Sequence, residues 1–476
     1  MLRCKSPYWA AMNAPRVSHF SVVPVILVSF LLVFPSRVAS YSVLSHEALI
    51  DSVWDPVITT LLLKAYPAAT EAQLLEAHAY AYGGSVIQDM GYYPFGNRFF
   101  TDLTHYVRTG DFVKALLDES QNINEYAFAL GALAHYSADI IGHSAAINRA
   151  VPEMYPKLMR KYGATVTYED DPKAHLLVEF SFDVVHIAGA GYLPETYHNF
   201  IGFKVANELL ERSFRATYGL EFKDLFLSED LAIGTYRRGA SEVVPRLTQI
   251  AWKKKKDEIL KVDPTMTRKK FVYRLSRSNY ESEWGRDYRR PRFFSRALGR
   301  EDEKVGLFAR ILVFLFELLP KIGPLQTLKF HAPAPHAQVM FVDSFRATRD
   351  RYQARLDQLR NNHLVLENRN LDTGKLVHFG EYDLADKAYS RLLDQLAKDH
   401  FRYASQELRS NLLLFYSHHT PPVAGSKDSE GWQKTMHQLE ELKSATIVDY
   451  LAPEQGMESH CRALMPCSDR NGGARE

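Results

Sequence analysis

Residues 129–143 read Ala-Leu-Gly-Ala-Leu-Ala-His-Tyr-Ser-Ala-Asp-Ile-Ile-Gly-His, with His135, Asp139 and His143 in an otherwise apolar run. These three recur at i, i+4 and i+8, so a helix would line them along one face. A second set follows in His175-Leu-Leu-Val-Glu179, again at i, i+4. The apolar residues around both sets turn these faces toward a core rather than toward water. An unpaired polar group in such a place costs roughly 2–7 kcal/mol. A bound cation is the economical way to satisfy both faces at once.

Helical periodicity extends outward from there. Ser45 precedes a periodic stretch to Leu61-Leu62-Leu63, and Glu71–Tyr82, Asp102–Arg108, Glu125–Ala146, Ala174–Ala188 and Phe200–Thr217 read as further helices. Gly83-Gly84, Gly91 and Pro94–Asn97 break the chain around Asp89, which places that carboxylate at a helix end or in a loop. Later, Ser344–Leu359 and Asp383–Leu413 are helical in pattern. Between them, residues 363–367 and 375–379 flank Asp372-Thr373-Gly374, the signature of a short β-hairpin. The reading is an all-α protein carrying one small hairpin.

A chain of 476 residues suggests two domains. Residues 1–40 have a basic start (Arg3, Lys5, Arg16), an apolar run from Val22 to Phe34 and small residues at Val38 and Ser40. This is a signal peptide, because the run is shorter than the roughly 20 residues a spanning helix needs. Secretion or periplasmic export with cleavage before Tyr41 is expected. The cut removes four basic residues and leaves a slightly acidic chain, which excludes a general polycation. Export would also let Cys461 and Cys467 pair in a flexible tail, residues 452–476. The mature chain then divides into residues 41–240, which hold the candidate ligands, and a mainly helical region over residues 250–451.

Imidazole and carboxylate together suit zinc. The candidate ligands in chain order are Tyr41, His46, Asp89, His105, His135, Asp139, His143, His175 and Glu179. His78 and His186 read as partners that orient ligands or as core histidines. The segments Tyr-Ser-Val-Leu-Ser-His46, Gln-Asp89-Met-Gly-Tyr-Tyr-Pro, Thr-His105-Tyr, residues 135–143 and residues 175–179 together resemble the zinc-dependent phospholipase C family. That family is related in fold to the fungal-type single-strand zinc nucleases. The resemblance covers about residues 41–215 and implies an all-helical domain with up to three zinc ions. It implies one ion held by Asp89, His105, His135 and Asp139, and a second by His143, His175 and Glu179. A third would take Asp139, His46 and the free α-amine and carbonyl of Tyr41. It also implies hydrolysis of a phosphodiester by metal-activated water, with Asp89 as the proton acceptor.

The substrate stays open at this level. Tyr92, Tyr93, Phe95, Phe99 and Phe100 would serve as a headgroup or base platform, or as core. Residues 253–300 hold sixteen Lys or Arg against six Asp or Glu and are followed by the apolar run 305–319. That combination suits an anionic membrane surface, a nucleic-acid groove, or a solvated face followed by a buried helix. A phospholipid hydrolase is the first reading. A single-strand nuclease and a non-catalytic membrane- or partner-binding protein on the same scaffold are the alternatives, and the oligomeric state is not legible.

Overall fold

The computed structural model describes residues 43–183, 203–239, 331–418 and 429–446, with isolated positions between 252 and 267. The leader, Tyr41, His186, most of the basic stretch, the apolar run 305–319, the division near residues 240–250 and both tail cysteines lie outside the described residues. Among the described residues the chain is helical and contains no sheet. None of the described helices is long and apolar enough to cross a membrane.

The first half runs through α1 (Val43–Val53), α2 (Thr59–Ala65), α3 (Glu71–Ser85), α4 (Arg98–Tyr106), α5 (Thr109–Asp118) and α6 (Ile123–Gly142). It continues through α7 (Asn148–Met154), α8 (Pro156–Tyr162), α9 (Pro172–Phe182), α10 (Asn207–Tyr218) and α11 (Glu229–Arg238). Local chemistry starts these helices where it should. Thr70 and Gln73 form a reciprocal capping box at α3, Asn122 accepts from the amides of Asn124 and Glu125 at α6, and Asp171 caps α9 just ahead of Pro172. Asp89 sits between α3 and α4 in a 3-10 turn, Ile87–Tyr92.

Helix α6 is the axis, buried along nearly its whole length. It lies close against α3 because glycines face backbone on both sides. A β-carbon on Gly84 would overlap the Phe128 carbonyl, and one on Gly131 would overlap the Ala81 carbonyl. This close approach brings Ser85, at the end of α3, within reach of His135 on α6.

The later helices are α12 (Pro335–Arg360), α13 (Asp383–Lys398), α14 (Gln406–Phe415) and α15 (Ser429–Ser444). They join the same apolar core, in which Leu133 of α6 and Leu393 of α13 both take part. Helix α12 lies along α6. The Tyr352 hydroxyl donates to the Leu130 carbonyl at 2.9 Å, Arg355 donates to the Ser137 hydroxyl at 2.7 Å, and Phe341 stacks on Phe182 of α9.

Two expectations change. The helix read over residues 383–413 is two helices, broken where His400 and Phe401 take positive φ. The turn is held because Phe401 is buried and its amide donates to the Leu396 carbonyl, while Ser405 caps α14. The hairpin around Asp372 shrinks to one antiparallel bridge, Arg369 to Leu376. Its backbone is bonded elsewhere: the Leu371 amide donates to the His105 carbonyl, the Arg369 carbonyl and amide both meet the Thr109 hydroxyl, and the Glu367 carbonyl accepts from Tyr136. With those groups occupied, no ladder can run along it.

Gly131→Ala is expected to cost about 1–3 kcal/mol by forcing α3 and α6 apart. The measurement is the urea midpoint at unchanged slope; an unmoved midpoint would mean that the two helices do not depend on this contact.

Candidate metal centre

Six elements converge on one buried point. His46 comes from α1, Asp89 from the 3-10 turn, His105 from α4, His135 and Asp139 from α6, and His175 and Glu179 from α9. His143 opens a π-helical turn, His143–Ile147, directly after α6. All eight side chains are buried. Tyr41, the ninth candidate, lies outside the described residues.

The ligand atoms fall into three groups whose members lie within 4.8 Å of one another: His46, Asp89 and His135; His105, His135 and Asp139; His143, His175 and Glu179. Asp139 stands between them. Its Oδ2 is 3.1 Å from His135 Nε2 and 3.4 Å from His105 Nε2, while its Oδ1 faces His46 Nε2 at 3.5 Å and His143 Nε2 at 3.8 Å. Asp89 Oδ1 is 3.3 Å from His105 Nε2. Glu179 Oε1 is 3.2 Å from His175 Nδ1 and 3.5 Å from His143 Nε2.

Hydrogen bonds behind the rings aim them. His135 and His105 each place Nδ1 2.9 Å from a carbonyl, those of Ser85 and Thr101, so Nδ1–H donates and Nε2 turns its lone pair inward. His175 uses the opposite edge: its Nε2 donates to Asn148 Oδ1 at 2.9 Å, leaving Nδ1 for the Glu179 side. Asp183, at the end of α9, accepts from the amides of Leu44 and Ser45 at 2.9 and 3.2 Å and so pins the start of α1, and with it His46.

These residues fit a metal. Both carboxylate oxygens of Asp89, Asp139 and Glu179, and Nδ1 of His175, are buried with no well-directed hydrogen bond among the described residues. Atoms of this kind are unfavourable when left alone and become donors when a cation is present. The protonation tendencies pull against each other. Burial drives His175 down to about 4, and burial with His135 nearby holds His46 well below the usual range. Burial opposes charge on His105 and His143 too, but the carboxylates beside them, chiefly Asp139, lift them to about 10 and about 9. Burial, helped by the neighbouring carboxylates Asp139, Asp89 and Asp372, pushes Glu179 well above the carboxylate range, and burial works against Asp139 as well, yet His135 and His143 hold Asp139 well below it. Bound cations favour neutral imidazole and ionised carboxylate at every one of these positions.

Other sequence candidates sort by location. His78 places Nε2 2.9 Å from Asp51 Oδ1 and stacks on Trp54, a core arrangement. Phe99 and Phe100 are core, with Phe100 packed on Phe112, Phe214 and Phe222, and Tyr93 packs on Tyr236. Tyr92 alone of that aromatic set borders the site. It joins Tyr106 and Tyr168 in lining a small cavity, of about 10 Å³, that is also bordered by His105, His143, Glu179 and Asp372. Three residues close to the ligands escaped the sequence reading: Asn148, Asp183 and Asp372. Asp372 was legible only as the first residue of a turn, since it has no histidine at helical spacing.

An all-helical domain with a buried histidine and carboxylate cluster is the class that fold and site define. Residues 45–227 match the family model described as zinc dependent phospholipase C. No curated protein and no solved structure matches the chain. The matched segment contains all eight described candidate ligands.

Asp139→Asn is expected to lower zinc content by more than one ion per chain, because one side chain faces two groups of ligands. Metal analysis by mass spectrometry decides it; loss of a single ion would refute a shared carboxylate.

Proposed function

We propose that this protein is a zinc-dependent phosphodiester hydrolase that cleaves phospholipids in the manner of a phospholipase C. The observation that carries the reading is the convergence of eight buried ligand side chains whose carboxylate oxygens lack other described partners, within the segment that matches that family's model. Asp89, His105, His135 and Asp139 would hold one ion, His143, His175 and Glu179 a second, and His46 with Asp139 and the Tyr41 amine and carbonyl a third. Bound zinc supplies Lewis-acid polarisation of phosphoryl oxygens and makes water acidic enough to attack near neutral pH.

The protein's own groups do the rest. Asp89, on a turn rather than within a helix, is the carboxylate that accepts the proton of the attacking water. Tyr92, Tyr106 and Tyr168 border the small cavity beside His105, His143 and Glu179, so a substrate approaching there would meet an aromatic wall, which favours an amphipathic diester over a free ion. Exposed Arg98, 3.3 Å from the Tyr168 hydroxyl, adds positive charge near the entrance. Incubation with phosphatidylcholine vesicles and, separately, with single-stranded DNA is expected to release phosphocholine without cutting DNA, and chelator should abolish the release. DNA cleavage without phosphocholine release would replace this reading with the nuclease.

Export belongs to the same proposal: residues 1–40 act as a signal peptide, and its removal frees the amine of Tyr41. The support is positional. Asp183 accepts from the amides of Leu44 and Ser45 and so holds the start of α1, which carries His46, beside the cluster. Intact-mass measurement of protein recovered from the medium should give a chain beginning at Tyr41, and a chain retaining residues 1–40 would remove the amine from the ligand set.

A further inference from the structure

Asp372 lies far outside the matched segment, yet its carboxylate is buried against the second group of ligands. Its Oδ1 stands 3.2 Å from His143 Nδ1 and 3.4 Å from His175 Nε2. Its Oδ2 accepts from the Tyr382 hydroxyl at 2.7 Å and from the Tyr168 amide at 2.9 Å. The main chain takes part too. The Asp372 carbonyl accepts from Asn148 Nδ2 at 2.8 Å, and Asn148 Oδ1 is the acceptor for His175 Nε2–H. Residue 372 therefore stands behind both histidines of the group, directly at His143 and through Asn148 at His175.

The geometry separates this role from that of a ligand. His143 turns Nε2 toward Glu179 and Asp139 and Nδ1 toward Asp372. The carboxylate is thus on the far side of the ring from the point where the ligand atoms meet. A carboxylate in that position fixes the tautomer and orientation of the ring and raises the basicity of the inward nitrogen.

The loop that carries it is seated firmly. Asn368 Oδ1 accepts from the amides of Gly110 and Asp111 at 3.1 Å each, capping the first turn of α5 from a distant part of the chain. Leu371 N–H donates at 3.0 Å to the carbonyl of His105, itself a candidate ligand. Gly374, at φ 71°, lies so near the end of α6 that a β-carbon would come 2.6 Å from the Ile140 carbonyl. Only glycine reaches that approach without displacing the helix.

We propose that Asp372 is a positioning residue for the second metal, so that the segment beyond the matched residues completes the centre. This rests on the zinc reading above, and the test keeps the two apart. Wild type, Asp372→Asn, Asp372→Ala and Tyr382→Phe would be titrated with zinc against a competing chelator, with far-UV circular dichroism as the check on folding. Cobalt(II) in place of zinc would report ligand geometry through its visible absorption.

Wild type should bind at least two zinc ions. The two Asp372 variants should keep wild-type helicity and bind one ion as wild type does, but hold another roughly 10- to 100-fold more weakly, with altered cobalt bands. Tyr382→Phe, which removes one hydrogen bond from the carboxylate, should show a smaller change in the same direction. Unchanged affinities and spectra in all three variants would overturn the proposal while leaving the zinc reading intact. So would loss of helicity and all metal together in the Asp372 variants with Tyr382→Phe identical to wild type. Wild type that takes up no zinc would overturn both.

Discussion

A carboxylate at the centre of a helix bundle is the constraint on which the rest depends. Asp139 is fully buried on α6, a helix buried along nearly its whole length, and removing an ionised group from water costs several kcal/mol unless charge is brought to it. The fold answers by directing His46, His105, His135 and His143 toward its two oxygens from three helices and a turn. Each imidazole in turn needs its outer nitrogen satisfied, and those bonds reach out to Ser85, Thr101 and Asp372. The arrangement of helices is the arrangement of these bonds, continued outward from one residue.

The close contact of α3 with α6 shows how packing sets chemistry. Gly84 and Gly131 let the two backbones touch, which brings the Ser85 carbonyl to His135. A larger residue at either place would withdraw the acceptor that orients the ring. Stability and ligand geometry are coupled here through a distance between two helix axes.

Much of the centre was legible because a helix converts sequence spacing directly into geometry. His135, Asp139 and His143, and His175 with Glu179, needed only the i, i+4 rule. Asp89 and His105 needed the family resemblance, since no local spacing ties a turn residue to a helix sixteen positions on. What stayed illegible depends on tertiary contact. The hairpin signal at residues 363–379 was sound local chemistry, but neighbouring helices claimed the backbone groups that a ladder would have used. The break at His400 and Phe401 was hidden for a similar reason: burying the Phe401 ring outweighs a continuous periodic pattern. Asp372 signals only a turn, because its role at the centre lies in its contact with His143, 229 positions earlier.

That separation has a bearing on how the protein comes to be assembled. The contact between His143 and Asp372 closes a loop of 229 residues, and contacts so distant along a chain are paid for in entropy before they return any stability. During synthesis, every candidate ligand through Glu179 has left the ribosome well before residue 372 exists. Helices α3 to α9 can pair locally in that interval, but the backing for His143 arrives only with the late segment. A centre built this way registers whether the whole polypeptide has been made, since a chain stopped short would keep the donor atoms and lack the residue that steadies one of them.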